Sequence, residues 1–227
     1  MDYNSKKITM EKIKKEFPFI SIALLPFIYL AYIWNRLSEK VPMHWNASGE
    51  IDDYGNKKEL FFMLLLVIGL PYLIFMVIPR IDPKQKLQNM GNKLNSLRFI
   101  LSIFMSALAI FILYSVQHET SSPELIFTLV GLMFAFLGNY FKTIKPNYFI
   151  GIRTPWTLEN EEVWKKTHLL GGKMWFIGGL LMAMTFVLPN PFNLYIFLGI
   201  TAIISIIPIV YSYLEFKKLK GQQQQTT

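Results

Sequence analysis

The sequence contains no cysteine and few charged residues. With no cysteine among its 227 residues, the chain can form no disulfide, thiolate metal site or cysteine nucleophile. Charged residues make up only 17% of the chain, whereas apolar residues make up 52%. A soluble core of this size needs a polar shell that these residues cannot supply. Long apolar runs separated by short charged segments instead predict a protein that crosses the membrane several times.

Patterns that carry enzymatic chemistry are also missing. There is no His-Glu-x-x-His pair and no glycine-rich phosphate loop. The acidic stretch around Asp52 and Asp53 lacks the ligand spacing of an EF-hand. His44 and His118 are predicted on the same side of the membrane, so two interpretations stay open: a metal site with these aspartates, or two solvated loop histidines. We predict a protein that is not an enzyme and that has no metal or cofactor.

No ionisable residue lies near the middle of a predicted span, which weakens the case for an ion-coupled transporter. Arg36, Arg98, Glu124 and Lys173 fall at span ends, where a long side chain can reach the membrane surface. Asn139, late in the fourth span, is placed to bond to another helix.

Six apolar segments are long enough to cross about 30 Å of hydrocarbon at about 1.5 Å per residue. They lie at residues 17–37, 60–79, 98–116, 124–141, 171–188 and 192–214. Pro26 lies inside the first, where a neighbouring helix must satisfy the carbonyl that proline leaves without a donor. The predicted fold class is an all-α membrane protein with six transmembrane helices.

Four regions follow from these spans. Residues 1–16 form a basic cytoplasmic N-terminus, and residues 17–116 form an amino-terminal half with an outer loop at 38–59. Residues 117–214 form a second half whose long loop is 142–170. The glutamine-rich tail, residues 215–227, is predicted to be disordered.

The distribution of lysine and arginine predicts the orientation. Of the 23 Lys and Arg residues, five lie before residue 17, five in 80–98, six in 142–173 and three in 215–227. Only four lie in the alternate loops. Because positive charge is enriched on the cytoplasmic side, both termini are predicted to be cytoplasmic. Trp34 and Trp175 fall at span ends and are predicted at the membrane interface.

Two glycine pairs lie seven residues apart in the fifth span, Gly171-Gly172 and Gly178-Gly179. This spacing places them on about one helix face, where small residues let another helix approach closely.

The outer loop holds the first candidate binding residues, Trp45, Asp52 and Tyr54. An exposed tryptophan in a polar loop has two interpretations: Trp45 packs on the bilayer surface, or it belongs to a binding face.

The second candidate site is the stretch Asn147–Leu158 with the following Trp164. Its candidate residues are Asn147, Gly151, Arg153, Thr154, Pro155, Trp156, Thr157 and Trp164. Thr154 or Thr157 can cap a helix and Pro155 suits a first helical turn, so a short amphipathic helix is predicted at about 155–169.

The role of this motif loop stays open between two hypotheses. It is an interfacial hairpin that orients the fourth and fifth helices, or it is a surface that binds a partner. Arg153 can pair with a lipid phosphate, a nearby carboxylate or helix-terminal carbonyls. Trp156, Val163 and Trp164 are predicted to face lipid or the other helices.

The motif also resembles a known family. Asn147, the run Ile150–Leu158 and the pair Val163-Trp164 closely resemble the signature of the SdpI family, named for immunity to a sporulation-delaying peptide toxin. The first outer loop is similar to the domain of unknown function that accompanies it in that family. The matching residues there are Pro42, Trp45, Gly49, Asp52, Tyr54, Gly55 and Lys57.

The resemblance implies an integral protein of the bacterial plasma membrane. Its implied function is protection of the cell against a secreted antimicrobial peptide toxin, with inward signalling of toxin presence. The implied partners are the peptide toxin and membrane lipids, with no direct nucleic acid. One alternative is a receptor that sequesters a cytoplasmic transcriptional repressor. Another is a small-molecule permease, favoured by the helix kinks expected at Pro26, Pro71 and Pro208.

Overall fold

The computed structural model describes residues 3–46, 48–82, 86–87, 90–120 and 123–225, and side chains from residue 14 to residue 222 within those ranges except that of Pro123. The helices are α1 (Tyr3–Ile33), α2 (Glu59–Leu64), α3 (Leu70–Ile81), α4 (Asn92–His118), α5 (Pro123–Phe141), α6 (Pro155–Glu159), α7 (Glu161–Ala183) and α8 (Phe192–Gln225). Two strands, β1 (Lys40–Trp45) and β2 (Ile51–Asn56), pair antiparallel. Lys84 and the side chains of Lys6, Lys7 and Lys12, which enter the charge distribution above, lie outside the described part.

Six helical segments of the described chain are long and apolar enough to cross a membrane. They are Lys14–Arg36, Glu59–Ile81, Asn92–His118, Glu124–Phe141, Glu161–Val187 and Phe192–Gln222. The prediction of a mostly helical, multi-pass membrane protein with six spans is confirmed.

Several helices extend beyond their apolar runs. The first begins at Tyr3 instead of residue 17, and α4 begins at Asn92 instead of residue 98. The predicted disorder of the tail is wrong as far as Gln225, because α8 continues to that residue. Lysine, glutamate and glutamine favour helices almost as well as leucine does. An apolar run therefore marks where a helix meets lipid, not where it ends.

Prolines inside the spans are accommodated in different ways. Pro26 cannot donate to the carbonyl of Ile22, and Ser106 Oγ of α4 donates to that oxygen instead, at 2.8 Å. The expectation that a neighbouring helix satisfies the carbonyl freed by Pro26 is confirmed. Pro71 follows a single π-helical turn, Leu65–Gly69, that joins α2 to α3. The wider turn gives room beside a proline ring that would otherwise clash with the preceding turn.

The chain divides into two compact units. One comprises Met1–Phe75 and Arg98–Ser121, and the other comprises Met76–Leu97 and Ser122–Thr227. The core of the first unit joins α1, α2, α4 and the hairpin. Its most deeply buried members include Ile33, Val41, Leu60, Leu64 and Leu113. Val41 of β1 therefore anchors the hairpin to the helix ends.

In the second unit, glycines bring α5, α7 and α8 together. A Cβ on Gly172 would lie 2.7 Å from the carbonyl oxygen of Gly138 in α5. One residue earlier, a Cβ on Gly171 would meet Ile152 at 2.6 Å and Pro208 of α8 at 3.5 Å. The other pair repeats this arrangement, with Gly179 against α5 and Gly178 against α8. The predicted close packing is confirmed, and each pair serves two neighbours instead of one.

Trp175 lies among the helices of this unit, and its predicted place at the membrane interface is wrong. Its ring lies 4.5 Å from that of Phe134 and 4.6 Å from that of Phe141. Its Nε1 donates to the carbonyl of Ile204 at 3.0 Å. Because Pro208 cannot donate to that carbonyl, the indole replaces the missing helical hydrogen bond.

Candidate functional site

The predicted outer loop is a two-stranded hairpin with irregular pairing. Lys40 pairs with Asn56 and Trp45 with Ile51, with shifts of register on both sides of His44. Such bulges leave residues outside the regular ladder and redirect their side chains. Asp52 is one of them, and its carboxylate lies 2.6 Å from His44 Nδ1.

The three candidate residues of the hairpin differ in exposure. Tyr54 is 51% exposed, and the Asp52 side chain is 43% exposed. Trp45 instead packs against the core of the first unit, and its Nε1 is buried with no partner among the described residues. Tyr54 and Asp52 are therefore available at the surface, whereas Trp45 mainly supports the hairpin. His44 pairs with Asp52, while His118 contacts the ring of Tyr114.

Asn147 organises the start of the motif loop. It is 2% exposed. Its Oδ1 accepts from the backbone N–H groups of Phe149 and Ile150, at 2.8 and 2.7 Å. Its Nδ2 donates to the carbonyls of Lys145 and Ile150, at 2.9 and 3.0 Å. The side chain thus replaces the hydrogen bonds that secondary structure would give this buried backbone.

Both the backbone conformation at residue 151 and the lack of room for a side chain there require glycine. Its φ of +110° lies in a region that residues with a side chain rarely adopt. A Cβ there would collide with His168 Nε2 and would lie 3.3 Å from the Trp164 ring. No larger residue fits without moving the loop or α7.

His168 joins the motif loop to α7. Its Nε2 accepts from the backbone N–H of Ile152 at 3.0 Å, and its Nδ1 lies 2.8 Å from the carbonyl of Trp164. This network assigns the proton to Nδ1 in a neutral ring, because Nε2 must accept. The imidazole also stacks on Trp164 with ring centroids 4.0 Å apart. The His168 side chain is buried, with the residue only 2% exposed.

Thr154 and Thr157 cap α6 reciprocally. The Thr154 backbone N–H donates to Thr157 Oγ1 at 2.8 Å, and the Thr157 backbone N–H donates to Thr154 Oγ1 at 3.2 Å. Pro155 occupies the first turn of α6, where its missing N–H leaves no hydrogen bond unmade. The predicted capping is confirmed, and both threonines take part.

One serine of α8, Ser212, contacts two residues of the motif loop. Ser212 is fully buried, accepts a hydrogen bond from Trp156 Nε1 and lies 3.2 Å from Thr154 Oγ1. The Trp156 ring also packs edge-on against Tyr213. Trp156 therefore faces α8. Trp164 is likewise buried, with its Nε1 donating to the carbonyl of Ile144 at 2.9 Å.

The predicted helix at 155–169 is broken into two. Helix α6 ends at Glu159, and Asn160 starts α7 by accepting from the backbone N–H groups of Glu162 and Val163, at 2.8 and 3.1 Å. Asparagine adopts the extended conformation that a cap requires. Helix α7 then continues without a break into the fifth span. That span therefore begins at Glu161 instead of at Gly171.

Arg153 and Pro155 are the candidate residues of the motif that stay at the surface. Arg153 Nη1 donates at 2.6 Å to the carbonyl of Tyr148, a loop residue that is not among the partners predicted for the arginine. Leu158 beside it is 41% exposed. The motif thus combines a hydrogen-bonded interior with an exposed surface around Arg153.

Sequence reasoning missed three residues that hold the motif in place: Asn160, His168 and Ser212. His168 follows Trp164 by four residues, a spacing that places two rings one above the other on a helix. This spacing is the feature of the sequence that could have identified His168. Ser212 gave none, because a serine within an apolar span shows its partners only in the folded chain.

A second polar cluster, in the first unit, was also missed. Arg98 is 8% exposed, and both its terminal nitrogens donate to the Glu16 carboxylate, one of them at 2.9 Å. Tyr72 Oη donates to the same carboxylate at 2.9 Å, and the guanidinium lies 4.1 Å from the centre of the Phe19 ring. The expectation that Arg98 reaches the membrane surface is therefore wrong. Burial of an arginine inside a membrane protein needs such a partner.

Asn139 is exposed, and within the described part of the chain it makes no hydrogen bond to another helix. The described residues contain no group of three or more His, Cys, Asp or Glu that could hold a metal ion. The hairpin and the motif loop remain the candidate binding surfaces.

The matches to known proteins include both the hairpin and the motif loop. Residues 143–212 match the model of the SdpI/YfhL protein family, and residues 21–68 match a domain of unknown function (DUF1648). The chain is 26% identical over 220 residues to the immunity protein SdpI of Bacillus subtilis (strain 168), which covers 92% of this chain and 100% of that relative. No solved structure matches the chain. The predicted resemblance is confirmed.

Proposed function

We propose that the chain, whose residues 143–212 match the model of the SdpI/YfhL protein family, is a membrane immunity protein. It protects the cell by binding a secreted peptide toxin and performs no catalysis. The observation that carries this proposal is the similarity to an immunity protein over the whole length of that relative. A match confined to one span pair would support only a shared membrane anchor.

The proposed contact with the toxin is the outer hairpin. Tyr54 presents an aromatic ring, and Asp52 presents a carboxylate beside His44, both at the surface. Exposed tyrosines contribute strongly to peptide binding because they bury a large area at low entropic cost. A carboxylate suits the positive charge common among peptides that attack membranes.

The immunity proposal is tested by expression in a toxin-sensitive bacterial host. Cells that carry the chain are expected to survive the cognate peptide at concentrations that kill cells carrying the empty vector. Equal killing of both strains, with the protein present in the membrane, would remove the immunity function.

The hairpin proposal is tested by Tyr54→Ala. We expect about tenfold or greater loss of protection, the effect of removing a central aromatic contact. The matched control is Tyr195→Ala, which removes a tyrosine that is 63% exposed and lies outside the hairpin. If both variants protect as well as the parent chain, the toxin contact lies elsewhere.

The exposed surface around Arg153 supports a second function, inward signalling by recruitment of a cytoplasmic transcriptional repressor. The guanidinium is held in place by the Tyr148 carbonyl and stays exposed, which suits contact with an acidic partner surface. Arg153→Ala is expected to abolish recruitment of the repressor to membranes, while Lys217→Ala leaves it unchanged. Persistent recruitment by a well-expressed Arg153→Ala protein would exclude this residue as the docking contact.

A further inference from the structure

Two adjoining hollows open beside α5 and α7 in the second unit. The larger has a volume of about 550 Å³ and is lined by basic residues. These are Lys93, Lys142, Lys145 and Lys165. The smaller has a volume of about 320 Å³, and Lys142 and Leu169 line both. A ligand with a charged head and an apolar tail could therefore occupy both at once.

The lysines of the larger hollow carry charge that the protein does not neutralise. Within the described part of the chain, none of the four ammonium groups has a carboxylate partner. The charge of the neighbouring Lys166, in contrast, is neutralised, since its ammonium group pairs with Glu162 at 2.9 Å and with Glu215 at 3.0 Å. Glu161 and Glu162 also line the hollow, and Glu162 is already engaged by Lys166. The hollow thus retains a positive excess suited to an anion.

The smaller hollow is a trough bordered by the apolar residues Leu169 and Phe176, and its lining also includes the polar residues Asn139, Lys142 and Lys173. Gly138 and Gly172 form part of its lining, at the place where the backbones of α5 and α7 touch. Leu169 and Phe176 border it and are 49% and 44% exposed. Leu169 and Phe176 give the trough its apolar walls, while the two glycines permit the close contact between α5 and α7 beside it.

The basic residues of the larger hollow lie at or next to the ends of three helices that are long and apolar enough to cross a membrane. Lys93 lies in the first turn of α4, and Lys142 directly follows α5. Lys165 lies near the start of α7. The beginning of one span, the end of the next and the beginning of a third meet on one side of a membrane.

We propose that the two hollows together bind one anionic phospholipid. Its phosphate lies among Lys142, Lys145 and Lys165, and one acyl chain lies in the trough past Gly172. Basic pockets between transmembrane helices are known to suit anionic headgroups, and each lysine near a headgroup strengthens the attraction. This site is independent of the immunity function, because the lipid that occupies it comes from the surrounding membrane.

The test counts bound lipids on the full-length protein by native mass spectrometry during titration with phosphatidylglycerol in mild detergent. The variant K142Q/K145Q/K165Q is expected to bind at least about tenfold more weakly than the parent chain. The matched control, K217Q/K218Q/K220Q, removes the same charge from exposed positions of α8 and is expected to bind within about twofold of the parent. Equal loss of lipid binding in both variants would show that the lipid is held by general charge attraction. That result would overturn the proposal.

Two further measurements on the unaltered protein do not depend on variant folding. Phosphatidylcholine is expected to bind at least about tenfold more weakly than phosphatidylglycerol, and 0.5 M salt is expected to weaken phosphatidylglycerol binding. Inorganic phosphate is the probe for a simple anion site. Displacement of the lipid by millimolar phosphate, or equal binding of the two lipids, would contradict the proposal.

Discussion

At Gly151, two independent constraints exclude any other residue. The backbone φ is positive, and the position of a side chain is already taken by His168. We expect Gly151→Ala to destabilise the protein by about 1–3 kcal/mol, the usual cost of such backbone strain, with the collision added. Thermal unfolding in detergent measures this loss.

Gly199→Ala is the matched control, because a Cβ there meets no atom within 4 Å and the backbone is helical. It is expected to leave the midpoint unchanged or to raise it slightly, since alanine favours helix. Equal midpoints for the two variants would show that the loop adapts to a side chain at residue 151.

The pair of Arg98 and Glu16 offers a prediction about charge. Glu16→Leu leaves a buried guanidinium without its carboxylate, which is expected to cost about 3 kcal/mol. The double variant Glu16→Leu/Arg98→Met removes both charges and is expected to be more stable than Glu16→Leu alone. Unfolding of the single and double variants gives the coupling. If the two single losses simply add, the contact between Arg98 and Glu16 contributes nothing to the folded state.

Between elements, the hydrogen bond from Trp175 to the Ile204 carbonyl depends on a proline. In the parent chain, Trp175→Phe is expected to cost about 1 kcal/mol through the lost indole N–H. In a Pro208→Ala background the alanine N–H can donate to Ile204, so the same change is expected to cost less. A double-mutant cycle in thermal unfolding measures the difference. A cost that is identical in both backgrounds would mean that Trp175 acts only through packing.

The elements themselves differ in how well their sequence predicts them. The Thr154-Pro155 pair predicts its helix start because capping is a local interaction. The end of that helix at Glu159 was missed because Asn160 also fits a helix interior, and only its bonds to Glu162 and Val163 reveal a cap. The hairpin was missed for a related reason. Its strands are short and polar, and the anchor Val41 becomes recognisable only once the helix ends around it are known.

For the candidate site, the sequence located the motif but not its contacts. Asn147 and Gly151 were recognised as unusual residues, and both proved to be needed by the loop itself. The residues that hold the motif from α7 and α8, His168 and Ser212, lie 16 to 58 residues from the groups that they bind. Such distant pairing is set by helix packing, which no local pattern in a single sequence reveals.

For the molecule as a whole, the lysine and arginine distribution predicts that both termini and the motif loop are cytoplasmic. The lack of native cysteine makes this directly testable. Single variants Asp53→Cys and Lys145→Cys place one thiol on the hairpin and one on the motif loop. A membrane-impermeant maleimide is expected to label the first in intact cells, and the second only after permeabilisation. Labelling of residue 145 in intact cells would reverse the orientation.

Helix α7 is packed closely on two sides, with Gly172 and Gly179 against the backbone of α5, and Gly171 and Gly178 against side chains of α8 and the motif loop. Turning such a helix about its own axis would drive bulky neighbours, Trp175 among them, into gaps that hold only glycine. A twist of α7 is thus blocked in both directions. Any message that crosses the membrane through this unit must travel as a tilt or a shift of the three helices moving as one body.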